Sequence, residues 1–388
     1  MYSDTDYRLL CKKYFVSMFI VVLFSVVTFF VTFYVTDPLQ IFHKSWFHED
    51  RLNPHMREQA AGIINNFTFD SIILGTSMLE NTSAKEASEK IGGNFFNISL
   101  SGSNFYERSF VLSQACKKNL KNVVYSLDSV YINQVKERVD YPTKLWSFLY
   151  NSSKLDDFKV YFQKKYLLYI FLTDAHTRKI DFDMPNVWFT ELSHARRFGG
   201  LQNWVKNSDN PQVHNFLLKE LPEMARQAEN PRAISQPSNL KLEQCQQYID
   251  EHIFNIIKEY QNTKFYFIFP PYFRYSYTKM IYDNTYYIHK FAIRYIVSKT
   301  KSMPNVHIYG FEDLDFLDNI ENYKDTGHYH QKFNSFMLDA IAQNQHRLTP
   351  DNVDAYLAKA EQRALTFDVV KLNNEAQSLL REYGVIKP

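Results

Sequence analysis

The pattern of apolar and polar positions begins with one long apolar stretch, residues 14–35, which contains no charged side chain. A helix of that length, at 1.5 Å per residue, crosses a hydrocarbon core of about 30 Å. Arg8, Lys12 and Lys13 precede the stretch and Asp37 follows it, so the positive-inside rule predicts a cytoplasmic N-terminus. No small-residue cleavage site follows, so we predict an uncleaved transmembrane helix rather than a signal peptide or a buried core helix.

Beyond this anchor, short apolar runs alternate with segments of helical periodicity, a pattern typical of βα units around a parallel sheet. Strands are predicted at residues 69–74, 93–102, 122–128, 264–269 and 305–310. Helices are predicted at residues 79–87, 105–115, 158–172, 242–260, 283–299 and 333–341, with a short one at 56–64. The pattern therefore predicts the α/β class.

These elements suggest a discontinuous α/β domain, residues 69–129 and 242–348. A helical or irregular insertion at 130–241 interrupts it and is expected to lie over the rim at the carboxyl edge of the sheet, where an active site would form. The other segments are a cytoplasmic tail (1–13), a connector (36–68) and C-terminal amphipathic helices (349–388). Trp146, Trp188 and Trp204 lie in the insertion. They are candidates for stacking on sugar rings, although core packing is the commoner use of such side chains.

Composition narrows the possible functions. The chain carries 44 basic and 42 acidic residues, a net charge of +2, without a long basic cluster, so a nucleic-acid partner is not indicated. Cys116 and Cys245 follow the anchor, where an oxidising compartment permits a disulfide, but two separate buried thiols fit the sequence equally well. The histidine spacings match no standard metal motif; the segment 325–330 has ligand-type side chains, but nucleophilic catalysis explains it better. No cofactor is expected.

The first chemical candidate is Ser77, in Gly75-Thr76-Ser77 at the end of the predicted strand 69–74. Open α/β folds place their ligands at the carboxyl ends of strands. Backbone N–H groups at the start of the following helix favour negative charge there. The position suits a nucleophile whose attack produces an oxyanion, although a Gly-Thr-Ser turn alone is a weak signal.

The second candidate is Asp325-Thr-Gly-His328, which follows the last predicted strand. A carboxylate three residues before an imidazole can hold one ring nitrogen while the other faces a hydroxyl, as in a catalytic triad. A helix-capping Asp beside a surface His is the alternative. The two motifs are more informative together than apart, because one follows the first strand and the other follows the last.

With these motifs the chain resembles the SGNH (GDSL-type) hydrolase superfamily, which carries its nucleophile after the first strand and Asp-x-x-His near the carboxyl end. It is more narrowly similar to membrane-anchored bacterial members that acylate cell-envelope polymers: alginate O-acetylation proteins, the peptidoglycan O-acetyltransferase and the teichoic acid D-alanylation protein. The resemblance covers roughly residues 15–345. It implies a three-layer α/β/α domain and a Ser77–His328–Asp325 triad.

The resemblance also implies an oxyanion site made by the N–H groups of Ser77 and Gly102, although Gly102 also fits an ordinary turn glycine with positive φ. Asp128 stands where many members have an Asn that donates to the oxyanion. An ionised carboxylate only accepts hydrogen bonds, so Asp128 is expected to cap the next helix, orient Ser77 or bind a sugar hydroxyl. Asn104, Tyr272 and Arg274 are further candidate substrate contacts, each with an ordinary structural role as the alternative.

These expectations describe a single-pass protein of the cytoplasmic membrane whose main domain lies outside the cytoplasm. The resemblance implies transfer of an acyl group, acetyl by default, to an envelope polysaccharide through a Ser77 acyl-enzyme. It also implies a multispanning membrane acyltransferase as partner. The alternatives are a carbohydrate esterase, in which water replaces the sugar hydroxyl, and a non-catalytic polysaccharide-binding or assembly factor.

Overall fold

Buried apolar runs in the chain become the strands of one parallel-dominated sheet in the computed structural model of the protein. The structure describes residues 4–47, 49–53, 55–128, 132, 141–166, 178–179, 195–230 and 233–387. The chain divides into two compact units. The first comprises Met1–Thr68 with Thr143–Ile180, and the second comprises Phe69–Pro142 with Asp181–Pro388.

The first unit is built on a single long helix, α1 (Asp4–Thr36). The most apolar 18-residue stretch within its Tyr7–Thr36 portion has a mean hydropathy of 2.6, and this portion is long and apolar enough to span a membrane or to serve as a signal sequence. After α1 the chain turns at Asp37, which has a positive φ of 33°. The Asp37 carboxylate accepts hydrogen bonds from three backbone N–H groups, those of Ile41, Phe42 and His43.

The rest of the first unit packs around this turn. It contains α2 (Met56–Asn66) and three 3-10 segments, Thr143–Leu145, Ser147–Tyr150 and Asp156–Phe162. A short antiparallel ladder joins Arg51–Leu52 to Arg178–Lys179. The helix α2 needs Gly62, because a Cβ there would lie 2.2 Å from the Leu39 carbonyl oxygen.

The second unit contains a six-stranded sheet. In chain order its strands are β1 (Ser71–Leu74), β2 (Phe95–Asn97), β3 (Asn122–Ser126), β4 (Lys264–Phe269), β5 (Val306–Gly310) and β6 (Arg347–Leu348). Their order across the sheet is β2-β1-β3-β4-β5-β6, and every neighbouring pair is parallel except the last. The direction of the sheet order reverses between β1 and β3, which is where doubly wound sheets open a crevice for ligands.

Helices connect and cover these strands. They are α3 (Ser77–Glu80), α4 (Ala84–Ile91), α5 (Phe105–Cys116), α6 (Leu201–Lys206), α7 (Pro211–Asn215), α8 (Leu221–Ala228), α9 (Asn239–Ile249), α10 (Asn255–Ile257), α11 (Arg274–Tyr282), α12 (Tyr286–Lys299), α13 (Lys332–Ala342), α14 (Val353–Thr366) and α15 (Val369–Glu382). Helix α4 packs against α13, whereas α9 packs against α12. Single π-turns follow α7 and α9.

The five predicted strands and most predicted helices are present, with three corrections. The predicted helix 79–87 is two helices, because the Ser83 side chain accepts a hydrogen bond from Glu86 N and so starts α4 as a separate element. The described part of the predicted helix 158–172 is mainly a 3-10 segment. Strand β6 was not predicted, since two residues are too few to show a periodicity.

The predicted insertion does not behave as one element. Its residues 143–180 belong to the first unit, and residues 181–241 belong to the second. Trp146 and Trp204 are 2% and 0% exposed, so both serve as core residues and neither is available to stack on a sugar. Trp188 lies outside the described residues.

Candidate active site

The Ser77 turn joins β1 to α3 at the carboxyl edge of the sheet. Thr76 is the N-cap of α3, and its hydroxyl accepts a hydrogen bond from Met78 N at 3.2 Å. Glycine is required at position 75, because a Cβ there would lie 2.7 Å from Ser126 Oγ and 2.8 Å from Leu79 Cγ. The tight turn leaves Ser77 partly exposed as the first residue of α3.

Asp325 and His328 lie on a loop that is closed by backbone pairing. Tyr323 and Tyr329 form an antiparallel bridge across its base, and Lys324 N donates to the His328 carbonyl at 3.0 Å. Inside the loop, Asp325 Oδ1 accepts hydrogen bonds from the N–H groups of Gly327 and His328, at 3.0 and 2.9 Å. The carboxylate therefore orders the loop that carries the imidazole.

The two motifs meet in the geometry of a triad. Ser77 Oγ lies 2.8 Å from His328 Nε2. His328 Nδ1 lies 2.8 and 2.9 Å from the two carboxylate oxygens of Asp325. A proton on Nδ1 held by Asp325 leaves Nε2 as the acceptor facing the serine hydroxyl, which is the arrangement of a nucleophile, a base and an orienting carboxylate.

The electrostatics of Asp325 agree with that arrangement. Burial alone raises the pKa of a carboxyl group, but the charge and hydrogen bonds of His328, together with the charge of Lys324, hold the pKa of Asp325 well below its ordinary value. Arg197 adds a further cation, with Nη1 3.8 Å from Asp325 Oδ2 and the residue only 3% exposed. Asp325 is therefore ionised throughout the neutral range.

Tyr329 fixes the position of the His328 loop relative to α3. Its hydroxyl lies 2.9 Å from the Met78 carbonyl and 3.0 Å from Asn334 Oδ1, and the side chain is 1% exposed. The residues next to His328 and next to Ser77 are thus connected directly. The sequence placed Tyr329 beside the motif but gave no signal of this contact.

A buried polar network lies behind the Ser77 turn, centred on Asp128. The Asp128 carboxylate is paired with Arg108 at 3.2 Å and accepts hydrogen bonds from Thr76 Oγ1 at 2.7 Å, Ser126 Oγ at 2.5 Å and Tyr272 OH at 3.1 Å. Asp128 is 0% exposed, so it does not bind a sugar hydroxyl in this structure. It supports the Ser77 turn through Thr76, and the next residues, where a helix cap was expected, lie outside the described residues.

The predicted oxyanion donors lie in the turns that follow β1 and β2. The N–H of Ser77 is at the first position of α3 and makes no hydrogen bond to the described part of the chain. Gly102 has a positive φ of 62° in the turn that follows β2. That turn is tied to the Ser77 turn, because Leu100 N donates to the Gly75 carbonyl at 2.8 Å.

Three of the candidate substrate contacts have structural roles instead. Asn104 is 0% exposed and forms a capping box with Glu107 at the start of α5. Arg274 is 0% exposed, and its guanidinium binds Asp318 together with the carbonyls of Glu312 and Leu314. Tyr272 is 7% exposed and donates to Asp128. Such buried polar groups need protein partners, and the partners found here leave none of the three facing a substrate.

Cysteine and metal chemistry were the other possibilities considered for this chain. Cys116 and Cys245 are free and buried, and burial raises the pKa of each thiol to about 12. No group of three or more His, Cys, Asp or Glu side chains with metal-binding geometry occurs among the described residues. His330 packs edge-on against Phe198 at 5.4 Å, beside the triad loop.

A serine activated by an imidazole, with backbone N–H groups nearby, is able to attack a carbonyl carbon and form an acyl-enzyme. A scan against protein-family models finds no family that matches the chain, and a search of curated proteins finds no relative of significant similarity. The assignment of function therefore depends on the site itself and on the motif resemblance.

Proposed function

We propose that the protein is a membrane-anchored acyltransferase of the SGNH type that modifies a cell-envelope polysaccharide outside the cytoplasm. The observation that carries the proposal is the contact chain Ser77 Oγ–His328 Nε2 and His328 Nδ1–Asp325. These groups are about 250 residues apart in sequence. A chance meeting of the three in this order and at hydrogen-bond distances is a poor explanation.

The sheet topology supports the same class. The order β2-β1-β3-β4-β5 places Ser77, after β1, beside the position where the sheet order reverses. Right-handed crossovers from β1 to β2 and from β2 to β3 place their connecting helices on opposite faces. A three-layer α/β/α domain of the resembled superfamily would have this arrangement.

In the proposed reaction, His328 Nε2 takes the proton of Ser77 Oγ as the oxygen attacks the acyl carbonyl. Asp325 holds the imidazole in the tautomer that makes Nε2 the base and stabilises the imidazolium that forms. The N–H groups of Ser77 and Gly102 would bind the tetrahedral oxyanion. His328 gives this proton to the leaving group of the donor, so that the acyl group stays on Ser77. It then takes the proton of a polysaccharide hydroxyl as that oxygen attacks the acyl-enzyme, and returns it to Ser77 Oγ as the acyl–Ser77 bond breaks.

The position of Asp128 removes one objection to catalysis. An unpaired carboxylate at the place of the family's amide donor would oppose an oxyanion. Here Asp128 is paired with Arg108 and is saturated by three hydroxyl donors. Its charge is therefore partly neutralised. The proposal needs only backbone donors for the oxyanion.

We propose acyl transfer rather than hydrolysis because of the family resemblance and because of the apolar helix α1. The resembled proteins work beside a multispanning membrane acyltransferase that supplies the acyl group, and we propose such a partner here. A carbohydrate esterase would use the same three residues with water as the acceptor. The acceptor hydroxyl therefore has to be identified by measurement.

The test compares acyl groups on the envelope polysaccharide in cells that carry wild-type protein, Ser77→Ala or His328→Ala. We expect loss of polymer acylation in both variants, because each removes a group that acts in the chemical step. Excess acylation in both variants would instead indicate the esterase. Unchanged acylation with normal protein levels would contradict the proposal.

A matched control is available in the adjacent turn. Ser101 is an exposed serine after β2, and Ser101→Ala should leave polymer acylation unchanged.

In purified protein, Asp325→Asn should slow acyl transfer by on the order of 10³–10⁴-fold, because the imidazole then holds the wrong tautomer. A much smaller effect would remove Asp325 from the proposed role.

A further inference from the structure

The C-terminal part of α1 is covered by aromatic side chains of its own unit. The Phe162 ring stacks on Phe29 at a centroid distance of 4.9 Å, and the Phe158 ring meets Phe30 edge-on at 5.1 Å. The 3-10 segment Asp156–Phe162 therefore lies along α1 rather than beyond its end.

The length of α1 determines how deep these contacts lie, if the helix spans a bilayer as proposed above. The last charged residue before the apolar stretch is Lys13, and residues 14–28 are uncharged and exposed. At 1.5 Å per residue they cover about 22 Å, whereas a hydrocarbon core is about 30 Å thick. About five further residues of α1 are needed to cross the core. Phe29 and Phe33 therefore lie at the depth of the hydrocarbon layer.

We propose that the first unit inserts part of its surface into the lipid bilayer around the C-terminal end of α1. The inserted surface, which we call the aromatic collar, consists of Trp46, Phe47, Phe158 and Phe162. Its partner is the acyl-chain and headgroup region of the outer leaflet. This inference rests on the anchoring part of the proposed function and not on the acyl-transfer chemistry.

Exposure supports a lipid partner. Phe162 is 60% exposed, Phe47 is 75% exposed and Trp46 is 55% exposed, although all three are large apolar side chains. Trp46 lies near the helix end, with its ring 6.1 Å from that of Tyr34. Tryptophan and tyrosine are enriched where hydrocarbon meets the headgroups. Clustered exposed rings that continue the surface of an apolar helix are expected where lipid covers them.

The segment runs beside the last turns of α1. Phe158 contacts both Phe30 in α1 and Phe42 after it, and Phe162 contacts Phe29 and Phe30. Lys159 belongs to the same segment, three residues before Phe162. Its exposed ammonium group, which pairs with Asp156, is placed to reach lipid phosphates.

The test uses the full-length chain, with Cys11→Ser, reconstituted alone into phosphatidylcholine vesicles that contain doxyl-labelled lipid. A single NBD fluorophore is attached at Phe162→Cys or, independently, at Phe47→Cys. Cys116 and Cys245 are buried and free, so neither competes for the label under native conditions. We expect doxyl groups in the acyl chains to quench NBD at residue 162, whereas aqueous cobalt ions should not quench it. NBD at residue 47 should also be quenched by doxyl lipid, but most strongly by doxyl groups nearer the headgroups.

Two control sites separate the possible failures. Ser153→Cys, in the exposed loop before the segment, should be quenched by cobalt and not by doxyl lipid. Val22→Cys, in the middle of α1, should be quenched by doxyl lipid. Quenching of residue 162 by cobalt alone, with Val22 lipid-quenched, would overturn the collar while leaving the anchor. If neither quencher acts on NBD at residue 162, protein covers that residue, and this result also overturns the collar. If doxyl lipid does not quench NBD at residue 22, the transmembrane anchor itself is overturned.

Discussion

Two buried carboxylates support the Ser77 site at the residue scale, and they are neutralised in different ways. Asp325 is held by backbone N–H groups and His328, whereas Asp128 is held by the Arg108 guanidinium. The Asp-x-x-His spacing in the sequence indicates the first arrangement. It gave no sign of the second, because Arg108 lies inside a helical pattern where an arginine is usually a surface residue.

The depressed pKa of Asp325 predicts how stability depends on pH. The unfolded chain binds a proton at this position below about pH 4, while the folded chain stays ionised to lower pH. The contribution of Asp325 is therefore complete above about pH 4 and is lost as the pH falls towards the folded pKa. We expect the difference in melting temperature between wild type and Asp325→Asn to narrow below pH 4 in detergent solution. A difference that stays constant down to pH 3, or widens, would contradict this.

The Arg108–Asp128 pair predicts a second outcome. Arg108→Met leaves a buried carboxylate without its cation, so we expect a loss of about 3–5 kcal/mol in the free energy of unfolding. Adding Asp128→Asn removes the uncompensated charge, and the double variant should recover part of the loss. Urea denaturation of both variants measures this. A double variant less stable than Arg108→Met alone would show that the pair is not the source of the effect.

At the scale of elements, the candidate site lies where three connections meet at one sheet edge. The β1–α3 turn carries Ser77, the turn after β2 carries Gly102, and the loop before α13 carries His328. Apolar runs and turn residues in the sequence predicted these three connections. Helices α3 and α4 were predicted as one helix and the antiparallel strand β6 was not predicted, because α3 and β6 are too short for a hydrophobic period to show.

Substitution of Tyr329 tests how the His328 loop and α3 are held together. Tyr329→Phe removes the hydroxyl contact with the Met78 carbonyl, so the loop loses its direct hydrogen bond to α3. We expect a stability loss of only about 1 kcal/mol but a distinctly slower reaction of Ser77 with a fluorophosphonate. Tyr323→Phe is the control, since its hydroxyl donates to the Pro271 carbonyl instead. Equal reaction rates in wild type and Tyr329→Phe would remove this positioning role.

At the scale of the whole molecule, the sequence identified an apolar helix and an α/β domain, and both are present. It did not show that residues 143–180 join the N-terminal segments in one compact unit. That association depends on contacts such as Tyr161 OH with Asp37, more than 100 residues apart in the chain. A pattern read locally along the sequence contains no record of such pairings.

Membrane topology is the prediction that belongs to this scale. With the N-terminus in the cytoplasm, Ser153→Cys in a Cys11→Ser background should react in intact spheroplasts with a thiol reagent that cannot cross membranes. An N-terminal epitope tag should become accessible to antibody only after permeabilisation. The positive charges of Arg8, Lys12 and Lys13 before the apolar stretch of α1, and the absence of such charges directly after it, favour this orientation. The reverse pattern of accessibility would place the Ser77 site in the cytoplasm and exclude an extracytoplasmic substrate.

The most direct test of the central claim is peptide mass spectrometry of the detergent-solubilised, full-length protein after reaction with a fluorophosphonate. Activation by His328 predicts one covalent adduct, on Ser77, and no adduct in Ser77→Ala or His328→Ala. The Ser101→Ala variant, folded and treated at the same concentration, should be modified as fully as wild type. An adduct on another residue, or a wild-type Ser77 that stays unmodified while the protein is folded, would contradict a nucleophilic Ser77.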